Sequence, residues 1–358
     1  VVGPPTAAPA PRLADYLATA ARDGTIPAGM QSVDSDRDGT EGNPWALDLP
    51  PGGWYRGNLH CHTTNSDGRL SPQETVDWFA GAGYHFLALT DHGKITDPAA
   101  LDGRGMCLLP ATELTATGGE LGASYHLLAL GVPARTVLPP PSAPARESVA
   151  WLHQHGAVVF VAHPHWSGLT VADIASLPSG TVAGIEIFNG GTVLDSHKGE
   201  AVVHWDEGLA RGHRWWGIAV DDTHWHSLDR GLGWVMVRAP ECTPAALLRA
   251  LARGHFYASS GPQIRRLSVR PEPEGLLLEV ETSPCAIIYA LGYGSRNQFA
   301  VDGEAIARGE RGTTITTATF HVRKHVARVD GRPCPAPYVR VQCVDWQRRS
   351  AWSNPLFL

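Results

Sequence analysis

The sequence predicts an α/β protein, a (β/α) barrel of about seven strands followed by a C-terminal antiparallel β-sandwich, from three observations. Between residues 54 and 261 short apolar runs alternate with helical stretches, the pattern of repeated βα units. Histidines and carboxylates gather at the ends of those runs, and the C-terminal strand ends are where a (β/α) barrel builds its site. After Gly261 apolar and polar residues alternate between turn signals, and no convincing helix interrupts them. The expected division is an N-terminal extension at residues 1–53, the barrel at 54–261 and the sandwich at 262–358.

A length of 358 residues is long for one core, and 43% hydrophobic with 18% charged residues excludes an intrinsically disordered chain. No apolar run reaches the ~18 residues of a membrane span. A net charge of −6 argues against a nucleic-acid footprint. A small-molecule substrate, no nucleic acid and no membrane are therefore expected, and the pattern sets no oligomeric state. The six cysteines lack CxxC spacing, so reduced thiols are expected, whereas 17 histidines supply nitrogen ligands for metals.

The extension opens VVGPPTAAPAP, with residues 13–22 as its one short helix. It lacks an initiator Met and an apolar signal core, so a cytoplasmic protein is expected, with a removed leader or a trimmed start as the other reading. YRGNLHCH reads as the first strand. SPQETVDWFAGAG then starts a helix, with Ser71 as N-cap, Pro72 in the first turn and Glu74 placed to close a capping box. Strands HFLALTDH, MCLLPATEL and YHLLALGV follow, and LPPPSAPA is a surface loop before the helix that ends WLHQHG. AVVFVAHPH, GIEIFNG, a helix over residues 200–211, WWGIAVDDTH, LGWVMV and helix TPAALLRALARGHF complete the region. The tail strands are RLSVRPEPEGLLLEVETS, CAIIYALGYG, TTITTATFHV, PYVRVQCVD and AWSNPLFL.

In the first strand end, His60-Cys61-His62, alternation throws both imidazoles to one side, where they can share one ion, and turns Cys61 away as a small buried apolar residue. Asp67 follows in a loop. Asp91-His92, Glu113, His126, His163-Pro164-His165, residues 186–189 and Asp222-Thr223-His224 mark the other strand ends. A lone HxH or a single carboxylate after a strand is commonly structural. So many on one rim call for an ion to neutralise and organise them.

HCHTTNSDG, LTDHG, ATELT, AHP and DDTH, in this order, resemble the sequential motifs of the polymerase and histidinol phosphatase (PHP) superfamily of metal-dependent hydrolases, over about residues 54–261. YASSGP, YVRVQCVDW and AWSNPLFL further resemble the carbaryl-hydrolase-type branch, in which a β-domain follows the PHP barrel. The resemblance implies a distorted (β/α)7 PHP barrel holding two or three divalent ions, Mn, Zn or Fe. It implies a first ion on His60, His62, Glu113 and Asp222, and a second on Glu113 as a bridge with His126 and His163. A third would use Asp67, His92 and His224, although many trinuclear relatives have histidine where this chain has Asp67. Asp91 would orient His92 or another ligand imidazole.

The implied reaction is hydrolysis of a small-molecule phosphomonoester by a metal-bridging hydroxide. His165, Asn189, His197, Lys198, His226 and Arg230 are the expected catalytic groups outside the ligand set. His165 leads for the leaving oxygen, with Lys198 and Arg230 as clamps for phosphate. Trp166, Trp225 and Trp205 are candidates to wall an aromatic or nucleoside substrate. The tail points to a runner-up, hydrolysis of a carbamate or carboxylic ester. A non-catalytic binding module is the rival from another class, and intact ligand residues at every position count against it.

Overall fold

The fold is described from a computed structural model covering residues 42–46, 49–292, 297–308, 310, 312–323, 328–329, 332–333 and 338–357. The short helix expected at residues 13–22 lies outside these. β1 (Gly53–Asn58) leads into α1 (Pro72–Gly81), where Ser71 and Glu74 form the expected capping box. β2 (Phe86–Leu89) and β3 (Cys107–Ala116) continue the sheet parallel to β1.

The next strand departs from repeated βα units. β4 (Tyr125–Leu130) runs antiparallel to β3, with Glu113 opposite Leu128, because residues 117–124 are too few for a crossover helix. After α2 (Ala145–Gln154), β5 (Val158–Val161) is antiparallel to β4. The short helices α3 (Pro164–Ser167) and α4 (Val171–Ala175) precede β6 (Gly184–Asn189). α5 (Gly190–Ser196) and α6 (Val202–Ala210) then lead to β7 (Trp216–Val220), and β5, β6 and β7 are mutually parallel. Reversing β4 puts its N-terminal end, and so His126, on the rim where the parallel strands end.

Beyond Asn58, the end of β1 meets the end of β7: Asp222 N donates to His60 O and His62 N to Thr223 O, both at 2.9 Å. Lower down, the same flank of β1 is taken by β8 (Trp234–Ala239), which is antiparallel. α7 (Pro244–Ala252) packs its Leu247, Leu248 and Leu251 among Leu109, Leu130, Phe160 and Val237. Gly131, just past the far end of β4, takes φ +89°, and a Cβ there would stand 2.8 Å from Leu248 Cδ1, so helix and strand close on a glycine. Trp205 is wholly buried in the other apolar core, its Nε1 donating to Trp215 O, which removes it from any substrate wall.

β9 (Phe256–Ser259) pairs with β8 and carries the sheet into the tail. There β10 (Ile264–Glu272) and β11 (Gly275–Cys285) form a separate three-stranded antiparallel sheet with β14 (Ile315–Arg323). β12 (Ile287–Gly292) and β13 (Gln298–Ala300), by contrast, join the large sheet, and α8 (Gly303–Ala307) follows them. That helix corrects the all-strand expectation: Asp302 caps it by accepting from Ala305 N. β15 (Arg328–Val329) and β16 (Arg332–Pro333) make a two-stranded ribbon. β17 (Tyr338–Val344), β18 (Ser350–Ser353) and β19 (Leu356–Phe357) also join the large sheet, β18 pairing directly with β9. Leu267, Leu278, Val280 and Phe320 of the small sheet share a core with Ile288, Val339 and Val341 of the large one. No helix among the described residues is long and apolar enough to cross a membrane.

Candidate metal centre

The strand ends bring the carboxylates of Glu113 and Asp222 against the paired imidazoles of His60 and His62. His60 Nε2 lies 3.1 Å from His62 Nε2, 3.2 Å from Glu113 Oε2 and 3.0 Å from Asp222 Oδ1. His62 Nε2 lies 3.2 Å from the same Glu113 oxygen and 3.1 Å from the same Asp222 oxygen. Ligands each ~2.0 to 2.1 Å from one tetrahedral ion are about 3.3 Å apart. Two imidazole nitrogens cannot face each other at 3.1 Å unless a proton or a cation stands between them.

Glu113 extends the cluster with its other oxygen. Oε1 lies 2.7 Å from His126 Nδ1 and 3.1 Å from His163 Nε2, and His163 Nε2 is 3.8 Å from Asp222 Oδ2. A further group forms where Asp67 Oδ2 lies 3.5 Å from both His92 Nε2 and His224 Nε2. Asp67 Oδ1 is 3.6 Å from His62 Nδ1. Gly68 lets this loop pass close over the first strand end, since a Cβ there would stand 2.5 Å from His62 O. His92 Nδ1 is buried without a hydrogen-bond partner although Glu113 Oε2 is 3.1 Å away. Such an orphaned lone pair, beside buried carboxylates and facing imidazoles, fits divalent ions of the Mn, Fe or Zn type.

Around the donors lies a supporting layer, part of which the sequence did not disclose. Glu186, fully buried on β6, places Oε1 2.6 Å from His60 Nδ1 and accepts from His163 N at 2.6 Å. The strand-end position was visible, but a lone carboxylate there does not announce a partner. Asn189 donates its amide to Glu186 Oε2 at 2.9 Å and to Asp222 Oδ2 at 3.0 Å, and its Oδ1 accepts from Thr192 N. Both its polar atoms are thus engaged inside the protein, and it orients Asp222. Asp91 accepts from Thr63 N and from the hydroxyls of Thr63, Ser66 and Thr96, reaching His62 only through Ser66 Oγ. Asp229 accepts from Thr223 Oγ1 and His224 N.

Two ligand candidates sit on strained backbone, His163 at φ +24° and Asp222 at φ +54°. Such conformations persist where surrounding bonds over-determine them, here His163 N to Glu186 and Asp222 N to His60 O.

Electrostatics follow from the crowding. Burial opposes charge on His60, but Asp222, Glu113 and Glu186 override it and raise its pKa well above the ordinary value. His62 is raised to about 9, burial again being outweighed by Asp222 and Glu113. Burial works against the ionised carboxylates too, yet neighbouring imidazoles hold Glu113 and Asp222 below the usual range. His92 is lowered, first by burial and then by His62 and His60 despite Glu113 and Asp67. The buried carboxylates thus raise His60, His62 and His163, and those imidazoles in turn lower the carboxylates.

The donors face a cavity of about 290 Å³, whose lining adds Trp166, Asp195, His226 and Asp229 to the ligand candidates. His165 is not part of that lining. Pro164 opens α3 directly after the bend at His163, so the chain leaves the strand path and His165 turns outward, Nδ1 3.1 Å from Glu200 O. His197 and Lys198 are exposed just past the end of α5 and do not line the cavity. Arg230 donates to Ser227 O and lies 5.7 Å from the Trp225 ring, also outside the lining. Trp225 Nε1 donates to His62 O, fixing the strand end from behind.

No known family's model matches the chain. A stretch of 79 residues is 35% identical to a 3',5'-nucleoside bisphosphate phosphatase of Chromobacterium violaceum, covering 21% of this chain and 27% of that protein. The chain therefore spans about a quarter of the length of that relative. Among solved structures, a two-domain Bacteroides vulgatus protein containing a predicted PHP-like metal-dependent phosphoesterase overlaps with a TM-score of 0.46 at 16% identity, over 83% of this chain and 92% of that one. An amidohydrolase from Chromobacterium violaceum, with bound sulfate and no metal, overlaps with a TM-score of 0.35 at 16% identity, over 47% and 87%.

Proposed function

We propose that the chain is a metal-dependent phosphoesterase of the PHP superfamily, its first seven strands a distorted (β/α)7 barrel at residues 54–261 and its tail a β-sandwich at 262–358. The observation that carries the reading is the convergence of His60, His62, Glu113 and Asp222: the two imidazole Nε2 atoms lie 3.1 Å apart, and each lies 3.0 to 3.2 Å from an oxygen of Glu113 and of Asp222. The bisphosphate phosphatase relative supports phosphorus as the centre attacked. The carbaryl-hydrolase-type branch is proposed on the tail motifs.

His60, His62, Glu113 and Asp222 would hold one ion, and Glu113, His126 and His163 a second. Asp67, His92 and His224 would hold a third. Bound ions of this kind acidify water and polarise the ester oxygens. The chain's own residues do the rest. Glu186 and Asn189 fix His60, His163 and Asp222, and Trp225 holds the His62 carbonyl. His226, which lines the cavity outside the three ligand groups, would pass a proton to the leaving oxygen as the phosphorus–oxygen bond breaks and water supplies the new oxygen.

A second reading, hydrolysis of a carbamate or carboxylic ester, is favoured by one observation: among the described residues, no lysine or arginine lines the cavity. The test is metal analysis of the purified protein with turnover of phosphomonoesters, phosphodiesters and aryl carbamates. Metal-dependent phosphate release is expected. Carbamate turnover with no phosphate release from any ester overturns the proposal in favour of the second reading.

A further inference from the structure

We propose that Asp195 and Trp166 form the leaving-group subsite of this cavity. It selects a planar leaving group that carries hydrogen-bond donors or positive charge and disfavours one that carries a second phosphate. The inference rests on the phosphoesterase reading and names the substrate class that reading leaves open.

The carboxylates of the lining are unequal in their engagements. Glu113, Asp222 and Asp67 belong to the ligand groups, and Asp229 accepts from Thr223 and His224. Asp195, on α5, lines the same cavity, is exposed and accepts no hydrogen bond from any described residue. Its lone pairs are available to a donor entering from solvent. Trp166 presents the complementary surface. Its ring packs edge-on against His163 at 4.9 Å and against His126 at 6.0 Å, yet the residue remains 44% exposed at the cavity. An indole anchored on one side and open on the other offers its free surface to a planar ring, and its electron-rich face favours a cation.

An ester with a second phosphate would bring that charge toward Asp195, with no lysine or arginine among the described lining residues to meet it. The nearby lysine, Lys94, lines a separate groove of about 750 Å³ that shares His92 with the cavity, and its ammonium already donates to Asn65 O. Ions at the ligand groups would neutralise the phosphate under attack, whereas a second phosphate farther along the leaving group depends on the cavity wall.

The test compares adenosine 5'-monophosphate with adenosine 3',5'-bisphosphate on metal-loaded wild type, Asp195→Lys, Trp166→Ala and Lys94→Ala. Wild type should prefer the monophosphate in kcat/KM, and Asp195→Lys should move the ratio toward the bisphosphate by at least about tenfold. Trp166→Ala should raise KM for the monophosphate. Binding of adenosine alone to the full-length protein treated with chelator, read by calorimetry, should weaken in Asp195→Asn and Trp166→Ala. A ratio unchanged in Asp195→Lys, or bisphosphate turnover that collapses in Lys94→Ala, overturns the subsite and leaves the phosphoesterase reading intact. Absence of phosphate release from every ester overturns that reading, and adenosine binding then decides the subsite alone: equal affinity in wild type and both variants refutes it.

Discussion

At the scale of single residues, the centre depends on groups that never face the cavity. Glu186 holds the ring of His60 and the amide of His163 at once, each contact 2.6 Å long. Glu186→Gln should therefore weaken metal binding about 10- to 100-fold while the fold persists, as read by equilibrium dialysis and circular dichroism. Unchanged affinity would show that His60 is oriented by packing alone. Protons give a second prediction. His62, raised from 6.5 to about 9, is protonated at neutral pH in the metal-free protein, so metal uptake should release protons measurable in unbuffered solution. Because its folded pKa lies above its unfolded value, its stabilisation of the metal-free protein is complete below about 6.5 and is lost as pH rises through about 9. The Tm of chelator-treated protein should fall over that window, and a flat profile would contradict the assignment. His226→Ala should lower kcat with little change in KM, whereas equal turnover would remove His226 from proton transfer.

At the scale of elements, direction and bending were the parts hidden in the sequence. Each apolar run ending in histidine or carboxylate was legible, and all nine ligand candidates gather where the runs end. The reversal of β4 was not, because burial on both faces gives the same apolar pattern whichever way a strand runs. His165 was misplaced by extending strand alternation through His163, although Pro164 is a first-turn helix residue and already marked the break. Glu186 and Asn354 escaped for a different reason, since their partners are distant in sequence and no local spacing encodes them. Asn354, fully enclosed beside β18, donates to Gly254 O at 3.0 Å and Phe256 O at 3.1 Å, and accepts from Gly217 N at 3.0 Å. It thereby ties β7 and β9 to the tail. Asn354→Ala should destabilise the protein by about 2 to 3 kcal/mol, since three buried backbone groups lose their partner. Chemical denaturation checks this, and a loss below about 0.5 kcal/mol would mean that water replaces the side chain.

At the scale of the whole molecule, the tail was expected as a separate sandwich, and its three-stranded sheet of β10, β11 and β14 fits that picture. The rest of it does not stand apart, since β17 and β18 extend the sheet that begins at β1. Arg340, nearly wholly buried on β17, pairs with Asp206 of α6 through Nη2 at 2.7 Å and Nε at 2.8 Å. A chain ending at residue 261 should accordingly fail to give soluble, monomeric protein, tested by size-exclusion chromatography beside the full chain; a stable monomer would show that the junction carries little of the stability. The β9–β18 pairing also imposes an order in time. A ribosome completes β9 about ninety residues before its neighbour β18 emerges, an interval of roughly 5 to 20 s at ordinary elongation rates. Throughout it, one edge of the nascent sheet stands open beside the apolar side chains of Phe256 and Tyr257. Slower translation of that interval would lengthen the exposure, so expression yield should depend on codon choice there more than on the final stability of the folded protein.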